Sequence, residues 1–148
     1  MWKKPSQMSG ASSQGTGRRN EARLVLDTNT YRLVMEGAPE AAGHVRIADV
    51  VMLPVPVIAE LRYGFMNGTK GQRSEAVLSR FLDQPRVEVL VCDEGTASEF
   101  ARLKLQLERQ GTPIPINDVW IAALTVQHRG TLYTRGTDFA RLPQVPRI

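Results

Sequence analysis

A single cysteine, Cys92, stands in a chain of 148 residues. One thiol excludes an internal disulfide framework and a four-cysteine zinc site. Cys92 ends the apolar segment VEVLVC and is expected to be an inert core thiol. The two histidines, His44 and His128, lie far apart with no matching ligand beside either, and both are expected at the surface. No apolar run approaches the roughly 18 residues that a membrane span needs. The first residues, MWKKPSQMSGASSQGTGRRNE, lack the apolar centre of a secretory signal. A cytoplasmic protein without membrane attachment is therefore expected. GTKG at 68–71 lacks the Gly-x-x-x-x-Gly-Lys frame of a phosphate-binding loop, and no internal repeat is visible.

What is present suffices for one core. Hydrophobic residues make up 42% of the chain, enough for one domain of ordinary size. The formal charge of +4 is a mild cationic bias, compatible with nucleic acid without demonstrating it. Lys3, Lys4, Arg18 and Arg19 supply much of it, so the remainder is expected to be near neutral. Residues 1–21 are rich in Ser, Gly and Gln and show no hydrophobic period. They read as a disordered leader or a remnant of cloning, and the folded domain is expected over 22–148.

From Arg23 the pattern alternates. RLVL at 23–26 reads as a strand buried on both faces. A short helix over 30–36 stops at Gly37, and Pro39 opens a second helix. VVMLPV at 50–55 reads as a strand closed by Pro54 and Pro56. Helix resumes from Val57 with Ile58, Leu61 and Phe65 on one stripe, and another spans 71–83. VEVLVC at 87–92 reads as a strand. The longest helix runs from Asp93 to Gln110 and ends at Gly111. Asn117 or Asp118 then caps a helix over 119–128, which would seat Trp120 in the core. TLYT at 131–134 is the last strand, followed by a Pro-rich loop and tail. Strands alternating with helices predict an α/β fold, a sheet sandwiched by helices.

Four acids stand at element edges. Asp27 follows the first strand, Glu60 sits early in a helix that follows a strand, Asp118 opens a helix, and Asp138 follows the last strand. In an open parallel sheet the carboxyl ends of the strands share one crevice, so these four could meet. Clustered carboxylates repel one another unless a cation sits among them. Oxygen ligands without Cys or His suit Mg²⁺ or Mn²⁺ rather than Zn²⁺, and such a site can hydrolyse a phosphodiester. Arg62 and Arg135 lie beside Glu60 and Asp138 in sequence and could touch a substrate backbone. Thr28 and Asn29 could hydrogen-bond Asp27 or a bound water, and Thr134 could anchor Asp138 or a phosphate. Each acid also has a plain reading: a helix cap for Asp27 and Asp118, solvent surface for Glu60, a turn cap for Asp138.

The segments LVLDTN at 24–29, PVPVIAELRYG at 54–64, INDVWIAALTVQHRG at 116–130 and LYTRGTDFARLPQV at 132–145 occur in one order. Together they resemble the PIN-domain family, and specifically its VapC-type toxins of bacterial toxin–antitoxin pairs. The resemblance covers nearly everything from residue 23 onward. It implies a PIN-like three-layer α/β/α sandwich with a mostly parallel sheet. It also implies a catalytic set of Asp27, Glu60, Asp118 and Asp138, with Asp27 and Asp118 as direct ligands of Mg²⁺ or Mn²⁺. Asn117, beside Asp118, joins the accessory residues Thr28, Asn29, Arg62, Thr134 and Arg135. The implied activity is metal-dependent endonucleolytic cleavage of RNA. The implied partners are an antitoxin protein and a second copy of the chain in a homodimer.

The chain departs from the resemblance at one place. Relatives often carry Asp two positions after the threonine that ends the last strand, and here Gly136 stands there. Asp138 is expected to substitute from farther along the loop. Without that substitution the chain would be a catalytically impaired module that binds RNA or antitoxin without cutting. A phospho-accepting signalling receiver shares the α/β outline but fits poorly, because this chain has no lysine after its last strand.

Overall fold

The computed structural model describes residues 21–148. The leader expected over 1–21 lies, except for Glu21, outside them. Its four cations account for the charge bias: taking four from 19 Lys+Arg leaves 15 against 15 Asp+Glu. Among the described residues no helix is long and apolar enough to cross a membrane.

Four parallel strands form the sheet: β1 (Arg23–Leu26), β2 (Val50–Pro54), β3 (Val87–Leu90) and β4 (Thr131–Tyr133), in the order β3-β2-β1-β4. The helices are α1 (Thr28–Met35), α2 (Pro39–Ile47), α3 (Val55–Asn67), α4 (Gly71–Leu82), α5 (Glu94–Gln110) and α6 (Ile116–Gln127), with a 3-10 turn over Asp138–Arg141. Consecutive residues Leu24, Val25 and Leu26 are all buried, as are Val51, Met52 and Leu53. Neighbours on a strand point to opposite faces, so both faces of the central strands are covered by helices. This is the expected three-layer α/β/α architecture.

The ladder registers Leu26 against Tyr133. The residues that follow, Asp27 and Thr134, therefore emerge side by side at one edge. Asp27 is the N-cap of α1, while Pro56 lies in the first turn of α3. Pro56 thus opens this helix rather than closing the strand before it. Proline suits that position because its missing N–H would be unpaired there anyway. The cap expected at Asn117 or Asp118 belongs to neither. Pro115 holds the N-cap of α6 without a side-chain bond, and both residues lie in the first helical turn.

Other expectations fail for local reasons. β3 ends at Leu90 because its partner β2 ends at Pro54, the last residue in register with it. Val91 and Cys92 extend past the ladder and are exposed, so Cys92 is not a core thiol. Burial of its sulfur and the charge of Asp93 raise the thiol pKa, so little of it is the reactive thiolate. The histidines are half-buried rather than on the surface. His44 lies 4.7 Å from the Tyr133 ring, centroid to centroid, and Nε2 of His128 is buried. Trp120 is half-buried and stacks on Phe100 at 4.0 Å. The tail is not only loop. Leu132 N–H donates to the Pro146 carbonyl at 2.8 Å and Ile148 N–H to the Leu132 carbonyl at 3.0 Å, so the chain returns along the outer edge of β4. That edge offers backbone groups needing partners, a demand that proline-rich composition hides.

Gly130 joins α6 to β4 in a tight space. A Cβ there would lie 2.5 Å from Val25 Cγ2 and 2.8 Å from Met52 Cε. Gly130→Ala is expected to destabilise the fold by about 1–3 kcal/mol through overpacking. The loss should appear as a lower urea midpoint at unchanged slope. An unchanged midpoint would refute this account of the junction.

Candidate active site

Asp27 is 8% exposed, and a carboxylate so placed needs partners. Two threonines supply them. Thr30 N–H donates to Asp27 Oδ1 at 2.9 Å, and the Thr30 hydroxyl lies 3.0 Å from the same oxygen. The Thr134 hydroxyl donates to Oδ2 at 2.6 Å and itself accepts Gly136 N–H at 2.9 Å. The capping role and the site role of Asp27 thus coincide.

Glu60 is exposed at the same edge, on α3. Its Oε2 accepts from the Thr28 hydroxyl at 2.8 Å and its Oε1 from the Asn117 side-chain amide. One carboxylate therefore ties together the N-terminal turns of α1, α3 and α6. Thr28 bonds Glu60 rather than Asp27, and Asn29 is exposed beside it. Asp138, half-exposed at the start of the 3-10 turn, lies 3.6 Å from Arg141 Nη1.

Asp118 shows that these acids share one environment. Burial raises its carboxyl pKa first. The charges of Glu60, Asp138 and Asp27 then raise it further, from 3.8 to about 6. The other three acids singled out in the sequence thus all act on Asp118. Among the described residues, however, no three His, Cys, Asp or Glu side chains stand close enough to ligate a common ion as they are oriented. The carboxylates share a field rather than a coordination sphere.

The donor set nevertheless fits a hard divalent cation. It consists of carboxylates without thiol or imidazole, and the repulsion felt at Asp118 is what such a cation would relieve. Asp27 and Asp118 would be the groups to hold it, as the family resemblance implies. Closing the sphere requires side-chain rotation, and neither Asp27 nor Glu60 can turn without breaking bonds, because both oxygens of each are engaged.

The expected cations point elsewhere. Arg62 lies two residues beyond Glu60, about 200° around α3, and its Nε donates to Glu75 of α4 at 2.9 Å. Arg135 donates to Glu40 of α2 at 3.0 Å. A cation that sequence spacing did not single out, Arg32, lies on the helix that Asp27 caps. It sits one turn after Thr28 and crosses over Gly64, one turn after Glu60, where a Cβ would lie 3.4 Å from its Nη2. Arg32 makes no ion pair among the described residues. Thr30 was also missed, although an Asp followed three residues later by a hydroxyl residue was a visible capping-box cue.

A family model for the PIN domain matches residues 24–145. The chain is a PIN-domain protein. Among its relatives, this PIN domain is 30% identical to ribonuclease VapC5 of Mycobacterium tuberculosis over 118 residues, covering 80% of this chain and 86% of that one. Its fold matches the structure of VapBC-5, a member of the VapBC family of toxin–antitoxin systems from the same organism. That match has a TM-score of 0.68 and 32% identity, covering 86% of this chain and 98% of the other. The VapBC2 structure from Rickettsia felis, bound to a promoter DNA fragment, matches with a TM-score of 0.77 and 23% identity. It covers 85% of this chain and 97% of the other. The PIN domain described here is thus of the VapC type.

The raised Asp118 pKa fixes a pH dependence. Between pH 3.8 and about 6 the folded state retains a proton that the unfolded chain releases. The stability associated with Asp118 is therefore greatest below that window and falls as pH rises through it. Thermal melts in chelator should show Asp118→Asn gaining on the wild type from pH 4 to 6 and holding its advantage at pH 7. A constant difference between the two proteins across that range would contradict the charge cluster.

Proposed function

We propose that residues 22–148 act as one PIN domain, a Mg²⁺- or Mn²⁺-dependent endoribonuclease toxin neutralised by an antitoxin. The observation that carries this reading is the half-buried Asp118 in the field of Asp27, Glu60 and Asp138, at the carboxyl edge of a parallel sheet. The kinship with ribonuclease VapC5 supports RNA as the substrate. Bound metal supplies a Lewis acid for a phosphoryl oxygen and lowers the pKa of a water.

Asp27 and Asp118 hold the ion, and the threonine bonds keep the Asp27 carboxylate in place. Glu60, open to solvent, orients water. Asp138 completes the negative surround from the loop after β4. Arg32 contacts a phosphate of the RNA strand. Arg62 and Arg135 can join it at small cost, because exposed ion pairs like theirs are worth roughly 0–1 kcal/mol.

The VapBC structures support an antitoxin partner. On this chain, exposed Met66 of α3 lines an apolar cleft of about 660 Å³ between α3 and α4, together with Phe65 and Ala76. A partner segment burying such side chains would gain hydrophobic stabilisation. A homodimer and cytoplasmic action complete the proposal.

Gly136 favours a second reading, a module that binds without cutting. A Cβ at this position would meet Thr134 Oγ1 at 3.3 Å and the Phe139 ring at 3.9 Å, so a carboxylate fits with a small adjustment. Cleavage of total RNA should be measured with Mg²⁺, with Mn²⁺ and with chelator. The main reading expects metal-dependent cuts that fall at least about a hundredfold in Asp27→Asn, the scale of losing a central electrostatic group. Binding without cleavage, with cutting gained in Gly136→Asp, would instead establish the second reading. Arg32→Gln should weaken binding of a single-stranded RNA and lower its salt slope by about 0.7, the share of one phosphate contact. An unaltered slope would remove Arg32 from the substrate path.

A further inference from the structure

We propose that Thr30 is a positioning residue for Asp27. Its buried hydroxyl, lodged between the Asp27 carboxylate and the Tyr133 carbonyl, holds that carboxylate in the orientation from which it takes a divalent cation. This rests on the metal-dependent reading above and assigns a role to a residue outside the acidic set.

Thr30 is fully buried, at 0% exposure, in the first turn of α1. Part of what it does is ordinary helix capping. Asp27 N–H donates to the Thr30 hydroxyl oxygen at 3.0 Å, and Thr30 N–H returns a bond to Asp27 Oδ1. The same box recurs at the start of α5, where Asp93 N–H donates to the Thr96 hydroxyl and Thr96 N–H to Asp93 Oδ1. Each hydroxyl also faces its own aspartate's Oδ1, and the two boxes differ in the second acceptor. Thr96 lies 3.2 Å from Asp93 Oδ1 and 2.5 Å from the side-chain oxygen of Gln127. Thr30 lies 2.9 Å from the Tyr133 carbonyl of β4 and 3.0 Å from Asp27 Oδ1, a three-centre arrangement around one proton.

Tyr133 is the residue before Thr134, whose hydroxyl donates to the other oxygen of Asp27. The two carboxylate oxygens are thus gripped by two threonines, and both grips end on adjacent residues of the same strand end. Gly136 N–H occupies one lone pair of Thr134 and leaves its proton for Asp27. A carboxylate has about four acceptor directions. Those on Oδ1 face the two Thr30 donors, and one on Oδ2 faces Thr134. The remaining direction lies on Oδ2. Removing the Thr30 hydroxyl leaves Oδ1 with the Thr30 N–H alone, unpairs the Asp27 N–H and loosens the link to the segment that carries Thr134. Groups that orient a metal ligand in this way typically change affinity by about 10–100-fold.

Thr96 provides an internal control, because it performs the capping task far from the acids in sequence. Mn²⁺ binding should be followed by the paramagnetic resonance of the free ion. The full chain is compared with Thr30→Val, Thr30→Ser and Thr96→Val, each also melted in chelator. Thr30→Val is expected to bind Mn²⁺ at least about tenfold more weakly. Thr30→Ser, which keeps the hydroxyl, should bind like the wild type. Thr96→Val should melt earlier with its Mn²⁺ affinity intact. If Thr30→Val does not fold, Thr30→Cys takes its place, since a thiol is a poor donor of similar size.

A folded Thr30→Val with wild-type affinity would overturn the proposal while leaving the metal reading standing. So would a Thr30→Ser as weak as Thr30→Val, or a Thr96→Val that loses as much affinity. A wild type that takes up no Mn²⁺ would end the metal reading and this inference together.

Discussion

Asp27 sits where a strand buried on both faces reaches the edge of the sheet, and the fold depends on making a carboxylate tolerable there. The solution uses β4. Its register with β1 brings Tyr133 and Thr134 alongside, and the first turn of α1 brings Thr30 from the other side. The bonds that satisfy Asp27 also fasten α1 to β4 and aim the loop that carries Asp138. A change that shifted β1 against β4 by one residue would reverse which side chains face the core, part Asp27 from Thr134 and part Thr30 from the Tyr133 carbonyl. Sheet register and site geometry are therefore a single property of this chain.

Around this fixed acid the rest of the site is held less firmly. Asp118 lies in an uncapped first turn of α6, half-buried and repelled by three neighbours. Its helix has Pro115 at the N-cap, without a side chain that can accept there, while Asn117 in the first turn reaches toward Glu60 and the Pro56 carbonyl. The edge thus combines one acid with every oxygen satisfied and one with its charge unrelieved. Local disfavour of this kind is tolerated where the surrounding core is secure, and Leu61, Ile121 and Leu124 behind these helices are fully buried.

Much of this was legible in the residues. RLVLD showed a strand ending in an acid, and the alternation of apolar runs with capped helices gave the layered sheet. The four acids were identifiable because element edges in a parallel sheet converge. What escaped depended on contacts between distant segments. The end of β3 was set by its partner's last residue rather than by its own apolar run, which is why Cys92 lies in solvent. The return of 146–148 along β4 answers unpaired backbone groups and leaves no mark in side-chain pattern. Arg62 and Arg135 looked close to the acids because they are close in sequence, but helix rotation and the Glu75 and Glu40 carboxylates turn them away. Thr30 lay in plain view as part of a cap. Its second bond, to a carbonyl a hundred residues later, belongs to the fold alone.

The two margins of the sheet are protected unequally. Outside β4 the returning chain consumes the free amides and carbonyls. Among the described residues no strand follows outside β3, and Val89 and Val91 stand open to water. Glu88, between Val87 and Val89 and 4.0 Å from Arg23, places a charge on this outer strand. Along with the brevity of β3, that one side chain disfavours edge-to-edge stacking of copies. A charge on an outer strand thus bears on how copies meet, a matter separate from the acids gathered around Asp118.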